Sequence, residues 1–119
     1  MKHLFTSEMR QQLAASRAIA TVTVQNVDDA KPLADALLAG GINAVEITMR
    51  TPAALEVMKF IADNYSEMLV MAGPVITPIQ VRQVQDAGAT CAVAPGMNAL
   101  VLQAAIEAQL PFAPGIATP

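Results

Sequence analysis

The 119-residue sequence has no tryptophan, one tyrosine (Tyr65), one histidine (His3) and one cysteine (Cys91). Aromatic residues make up 3% of it, too few to build a surface on which bases stack. The seven basic residues are scattered rather than gathered into a patch, so no nucleic-acid partner is expected. A single thiol excludes an intrachain disulfide. In the stretch Thr90-Cys91-Ala92-Val93-Ala94 it reads as an inert core residue rather than a nucleophile, and its isolation fits a reducing compartment. His3 sits in the N-terminal tail as a solvated side chain without a role. No run approaches the ~18 apolar residues of a membrane span. Met1-Lys2-His3-Leu4-Phe5 passes into the polar Thr6-Ser7-Glu8 with no signal-peptide core. The expectation is a soluble, cytoplasmic chain without a membrane partner.

What the sequence does have is aliphatic mass. It is 54% hydrophobic and 14% charged, with a net charge of −3, and the apolar residues are Ala, Val, Leu, Ile and Met. This composition suits parallel strands covered by helices. The seven methionines are dispersed as packing residues; no metal or cofactor site is read from them.

The eight residues Ala44-Val45-Glu46-Ile47-Thr48-Met49-Arg50-Thr51 stand out. They place an acid and a base inside an apolar run bounded by Gly40-Gly41 and Thr51-Pro52. The run is β-branched and short, and both flanks are breakers, so it reads as a strand. Alternation then puts Glu46, Thr48 and Arg50 on one face and Val45, Ile47 and Met49 on the other. Glu46 and Arg50 would lie about 13 Å apart on that strand, too far to pair, so each needs another partner or a ligand. Two plainer readings exist. In a helix the two charges would form a surface pair at i,i+4; on a strand Glu46 could serve a buried structural network.

The rest of the chain repeats one theme. Ser7 is expected to cap a leading helix through Ala15. Strands are expected at 18–24, 68–72, 90–94 and 111–115, besides the key strand. Helices follow from about Asp29 to Leu38, from Thr51-Pro52, from Thr77-Pro78 to Gly88, and from Asn98 through Leu102, Ala105 and Ile106. Leu55, Met58, Phe60 and Ile61 are expected on the buried side of the helix that follows Thr51-Pro52. Ile19, Ala44, Leu69, Cys91 and Phe112 recur at separations of 25, 25, 22 and 21 positions, the spacing of right-handed βα units on a parallel sheet. The fold class is α/β: a parallel (β/α) barrel, incomplete, with about five of eight units, or a doubly wound open sheet. No Gly-x-Gly-x-x-Gly follows the first strand, which disfavours dinucleotide binding. Residues 1–16 form an N-terminal helix and 17–119 a single partial barrel. Eight units need ~250 residues, so the expectation is a fragment, a truncated product, or a partial barrel completed by association.

Gly40-Gly41-Ile42-Asn43-Ala44-Val45-Glu46-Ile47-Thr48-Met49-Arg50-Thr51 resembles a signature stretch of the 2-keto-3-deoxy-6-phosphogluconate / 4-hydroxy-2-oxoglutarate aldolases. Asp86-Ala87-Gly88-Ala89, Ala94-Pro95-Gly96 and Pro111-Phe112-Ala113-Pro114-Gly115-Ile116-Ala117-Thr118 extend the resemblance, in order, from about residue 17 onward. It implies a (β/α)8 barrel, usually a homotrimer. It also implies a class I aldolase, with neither metal nor cofactor, that cleaves a 2-keto-3-deoxy sugar acid phosphate to pyruvate and glyceraldehyde 3-phosphate. By that resemblance Glu46 is the general acid/base, Arg50 binds the pyruvyl carboxylate through its guanidinium, and Pro95 lines the pyruvate pocket.

The chain departs from the family at two places. Pro74, in Ala72-Gly73-Pro74-Val75, stands where the family carries a threonine, and it offers neither hydroxyl nor backbone N–H. The family's Schiff-base lysine lies on a sixth strand, beyond Pro119. Of the lysines present, Lys31 and Lys59 read as solvated positions on helices, and Lys2 lies in the tail. The sequence therefore leaves three readings: the N-terminal portion of such an aldolase, inactive alone; a non-catalytic barrel remnant acting through association; and another phosphate-handling barrel such as an epimerase or phosphate synthase.

Overall fold

A computed structural model describes residues 4–118; Lys2, His3 and Pro119 lie outside the described residues. Five parallel strands form one sheet in the order β1-β2-β3-β4-β5, with β1 at Ala20–Val22, β2 at Ala44–Thr48, β3 at Leu69–Gly73, β4 at Cys91–Ala94 and β5 at Phe112–Pro114. Helix α1 (Ser7–Ser16) precedes the sheet, and α2 (Ala30–Ala39), α3 (Ala54–Asn64), α4 (Pro78–Asp86) and α5 (Ala99–Glu107) follow β1 to β4 in turn.

Burial decides between the two architectures. Val45, Ile47, Val70, Ala72 and Ala92 pack into one cluster with Ala34, Val57, Ile61, Val81, Val84, Val101 and Ala105 from α2 to α5. All four helices following strands therefore cover the same face of the sheet. The opposite face packs Ala44, Leu69, Met71 and Cys91 against Met9 of α1. A doubly wound sheet carries helices on both faces and reverses its strand order at a switch point. Sequential order with one-sided helices is instead the arc of a (β/α) barrel. Helix α1 lies across the inner face near the strand starts, and its last residue is fastened there: Ser16 Oγ donates to the Ala18 carbonyl (2.8 Å) and accepts from the Asn43 N–H (3.3 Å).

The helix starts follow local chemistry, with two differences from expectation. Thr77 and Gln80 form a reciprocal capping box with Pro78 in the first turn of α4, and the Asn98 side chain accepts from the Leu100 and Val101 N–H groups at the start of α5. At α1 the cap is Thr6, whose Oγ1 accepts from the Met9 N–H at 3.2 Å, and Ser7 is the first helical residue. Thr51 does not cap α3, which begins at Ala54; its hydroxyl donates to the Val24 carbonyl at 2.6 Å and ties the β2–α3 connection to the end of β1. That bond satisfies a carbonyl just past a short strand, a stronger demand than a helix end that still has water.

Met58 and Ile61 are fully buried as expected, with Leu55 and Phe60 partly buried beside them. On α5, Val101 and Ala105 are buried against the sheet while Ile106 is exposed. On this nine-residue helix the apolar side chains run nearly all round, so periodicity alone does not single out the buried stripe.

Candidate functional site

Strand β2 carries the site. Ala44, Glu46 and Thr48 face the inside of the arc, while Val45 and Ile47 are fully buried under the helices, with Met49 partly buried beside them. The expected alternation around Glu46 therefore holds through Thr48. It stops there: β2 ends at Thr48, and Arg50 lies in the turn that follows, exposed to solvent. Arg50 is thus not on a strand face with Glu46, because the ladder closes one residue later, where the Met49 N–H donates to the Gly73 carbonyl (2.7 Å). Among the described residues the Arg50 guanidinium has no hydrogen bond or ion pair.

Glu46 is half-buried. Register sets its neighbours: Thr21 on β1 and Met71 on β3. The Thr21 hydroxyl donates to Glu46 Oε2 at 3.1 Å. The other oxygen, Oε1, lies against Gly73, so close that a Cβ on that residue would collide with it and with a methyl of Val93. One layer toward the strand ends, Thr48 is 2% exposed and its hydroxyl bonds Thr23 at 2.8 Å. Two hydroxyl rungs thus cross to β2, one from Thr21 on β1 and one from Thr23 just past its end. The first holds the carboxylate; the second satisfies Thr48 internally, so Thr48 does not compete for Glu46.

Cys91 is buried on the same inner face. Burial first, and then the negative charge of Glu46, push its thiol up to about 12. Its thiolate fraction at neutral pH is then about 10³-fold below that of an ordinary thiol. Iodoacetamide at pH 7 is expected to leave Cys91 unmodified in the folded chain and to label it promptly in denaturant; prompt labelling of the folded chain would contradict this placement.

Pro95 lies in the exposed loop after β4 and lines a hollow of about 250 Å³ with Val75, Ile76, Asn98, Val101 and Phe112. A larger open groove of about 850 Å³ runs between α4 and α5 on the outer surface, lined in part by Ile79, Arg82, Asp86, Leu100 and Glu107. Neither contains Glu46 or Arg50. The three residues expected at the site thus occupy the inner face or C-terminal rim of the arc, and of them Pro95 alone lines one of these two hollows.

The lysines sit elsewhere. Lys31 pairs with Asp35 (2.7 Å) and Lys59 with Asp63 (2.9 Å), each at i,i+4 on an exposed helix surface. The hydrogen bond to Asp35, reinforced by the Asp35 charge, raises the Lys31 ammonium above its ordinary value, the reverse of what a nucleophilic amine requires. Tyr65 braces the same spot by donating to Asp35 Oδ1 at 2.6 Å. Among the described residues no group of three or more His, Cys, Asp and Glu side chains is placed to hold a metal ion, and no helix is long and apolar enough to cross a membrane.

An acid on the inner face of a one-sided parallel arc, with Arg and Pro at strand ends, is an arrangement with known counterparts. Residues 9–119 match the family model for KDPG and KHG aldolase. The chain belongs to this aldolase family. A 2-dehydro-3-deoxy-phosphogluconate aldolase of Dickeya dadantii is 38% identical over 118 residues, covering 99% of this chain and 55% of that relative. Among solved structures, the KDPG aldolase of Legionella pneumophila, with pyruvate captured at low pH as a covalent carbinolamine intermediate, superposes with a TM-score of 0.83 at 39% identity. That match covers 90% of this chain and 52% of the other. A cube-shaped protein cage designed by fusing symmetric oligomeric domains matches with a TM-score of 0.75 at 30% identity, over 84% of this chain and 37% of the other. The chain spans about half the length of the aldolases it matches.

Sequence reasoning missed two parts of the Glu46 environment, Thr21 and Gly73. The signal was available: the 25-residue step that aligns Ala44 with Leu69 also aligns Thr21 with Glu46 and Thr48 with Gly73.

Proposed function

We propose that this chain supplies the acid/base and carboxylate-recognising part of a class I aldolase site. The substrate would be a phosphorylated 2-keto-3-deoxy sugar acid, split into pyruvate and glyceraldehyde 3-phosphate in the cytoplasm. The observation that carries this reading is Glu46, half-buried on the inner face, with one oxygen held by Thr21 and the other beside a residue without a side chain.

In the retro-aldol step an amine condenses with the 2-keto group and releases water. Glu46 then takes the proton of the C4 hydroxyl as the C3–C4 bond breaks; the bonding pair moves into the iminium, giving an enamine, and the C4 oxygen becomes the aldehyde. Glu46 returns the proton to C3, and water releases pyruvate and the free amine. Arg50, unpaired among the described residues and at the strand-end rim, is suited to the substrate carboxylate by its planar, two-pronged donor geometry. Pro95 would form one apolar wall. Lys31 and Lys59 are paired on outer helices, so neither is suited to supply the amine; following the family resemblance, the amine is proposed to come from a segment that completes the arc, and the active form to be an oligomer or an assembly. Among the described residues the outer edges of β1 and β5 are unpaired, which favours such completion.

Pyruvate trapping with borohydride tests this. The chain alone is expected to give no adduct. Co-folded with the C-terminal half of a homologous aldolase, it should give one adduct, on the lysine of that half. A stoichiometric adduct on Lys31 or Lys59 would overturn the assignment of the amine; no adduct and no turnover in a well-folded assembly would favour a non-catalytic barrel remnant that acts by association.

A further inference from the structure

We propose that Thr21 is a positioning residue for Glu46: its hydroxyl holds Oε2, so that Oε1 is the oxygen that moves the proton. The inference rests on the acid/base reading of Glu46 given above. Thr21 and Glu46 are register partners on adjacent strands, so their side chains project from the same face at the same height. A carboxylate only accepts hydrogen bonds, so at 3.1 Å the Thr21 hydroxyl must be the donor. A β-branched side chain on a strand has few χ1 wells, which aims the hydroxyl in advance. Oε1, by contrast, has no hydrogen-bond partner among the described residues and lies over Gly73.

The surroundings keep this division of labour. The Thr23 and Thr48 hydroxyls are engaged with each other at 2.8 Å, so neither is drawn to the carboxylate. Without Thr21 the Glu46 side chain would regain rotation about its terminal bond, and either oxygen could turn toward the substrate. The role is one of orientation: Thr21 touches Glu46 and moves no proton itself.

The test has a spectroscopic arm that needs no catalysis. In the full chain labelled with ¹³C at glutamate side-chain carboxyls, Glu46→Gln identifies the Glu46 resonance by its loss. Thr21→Val, which keeps the shape and removes the donor, is expected to displace that resonance and leave those of Glu8, Glu56, Glu67 and Glu107 in place; Thr21→Ser is expected to restore it. A Glu46 resonance that does not move in Thr21→Val overturns the proposal and leaves the aldolase reading standing. The second arm is kinetic, in the assembly completed by a homologous C-terminal half. Thr21→Val should lower kcat by about 10- to 10²-fold, the scale of a misplaced reacting group, with KM changed by less than about twofold and Thr21→Ser recovering most of the loss. An unchanged kcat in Thr21→Val, with Glu46→Gln inactive, overturns the positioning role alone. Turnover that survives Glu46→Gln overturns both readings. A purely structural Thr21 would change the melt of the valine variant without the split between kcat and KM.

Discussion

Glu46→Gln is expected to lower turnover of the completed aldolase assembly by about 10²–10⁴-fold, the usual contribution of one positioned acid/base group. The substitution keeps the volume and an oxygen that can accept from Thr21, so the half-buried site remains filled and bonded. Stability should therefore change by no more than about 1 kcal/mol. The glutamine amide cannot take the C4 hydroxyl proton, and it brings two donors where the carboxylate had none. Single-turnover pyruvate release, with a denaturant melt of the same sample, separates the two effects. Full turnover in a folded Glu46→Gln assembly would return Glu46 to a structural role in the strand network.

Gly73→Ala is the second large effect, and it acts on the same carboxylate from the other side. An added methyl has no room: Glu46 Oε1 on one side and the Val93 methyl on the other both lie within contact distance of it. The Glu46 tip can swing away, but only by leaving Thr21 and the orientation that Thr21 sets. Catalysis should fall by about 10²-fold, the scale of a reacting group misplaced by an ångström. Overpacking between β3 and β4 should cost a further ~1–3 kcal/mol of stability, in the range typical of small-to-large changes. Gly73→Ala combined with Val93→Ala tells these apart. Relief at Val93 should recover part of the stability while activity stays low, since the clash with Glu46 remains. Equal recovery of both would mean that the steric fault lies with strand packing and that Gly73 does not shape the position of Glu46.

The sequence was legible where local chemistry and periodicity agreed. Gly41 before the key strand takes a positive φ of 81° that few other residues tolerate, and the capping box at Thr77 and Gln80 marks a helix start in its own residues. The polar-in, apolar-out split of Val45 to Thr48 follows from the two-residue period of a strand. Boundaries were less legible. Arg50 was expected on the strand because Thr48-Met49-Arg50 has no internal breaker, yet pairing ends once Met49 has bonded Gly73. The repeat-based alignment also slipped in the second half of the sheet. Met71 pairs with Cys91 and Ala92 with Phe112, so both registers step by 20 positions. The first is a slip of two, which leaves Cys91 on the inner face with Leu69; the second is a slip of one, so Phe112 packs on the helix side. A slip of one residue reverses a side chain, and spacing alone does not carry that information.

By itself the sequence determined that the chain forms successive βα units, which segments are strands and helices, and that Glu46 stands on the less apolar face of its strand. These are local properties, set by periods of 2 and 3.6 residues and by the torsional demands of Gly, Pro, Thr and Asn. Only the tertiary structure decided that all four helices following strands cover one face, which makes the sheet an arc of a barrel with an inner surface. Only it decided that Thr21 and Gly73 flank the Glu46 carboxylate. Both outcomes depend on register between segments some 25 positions apart, and register is settled by the simultaneous packing of every strand against its neighbours and its helix.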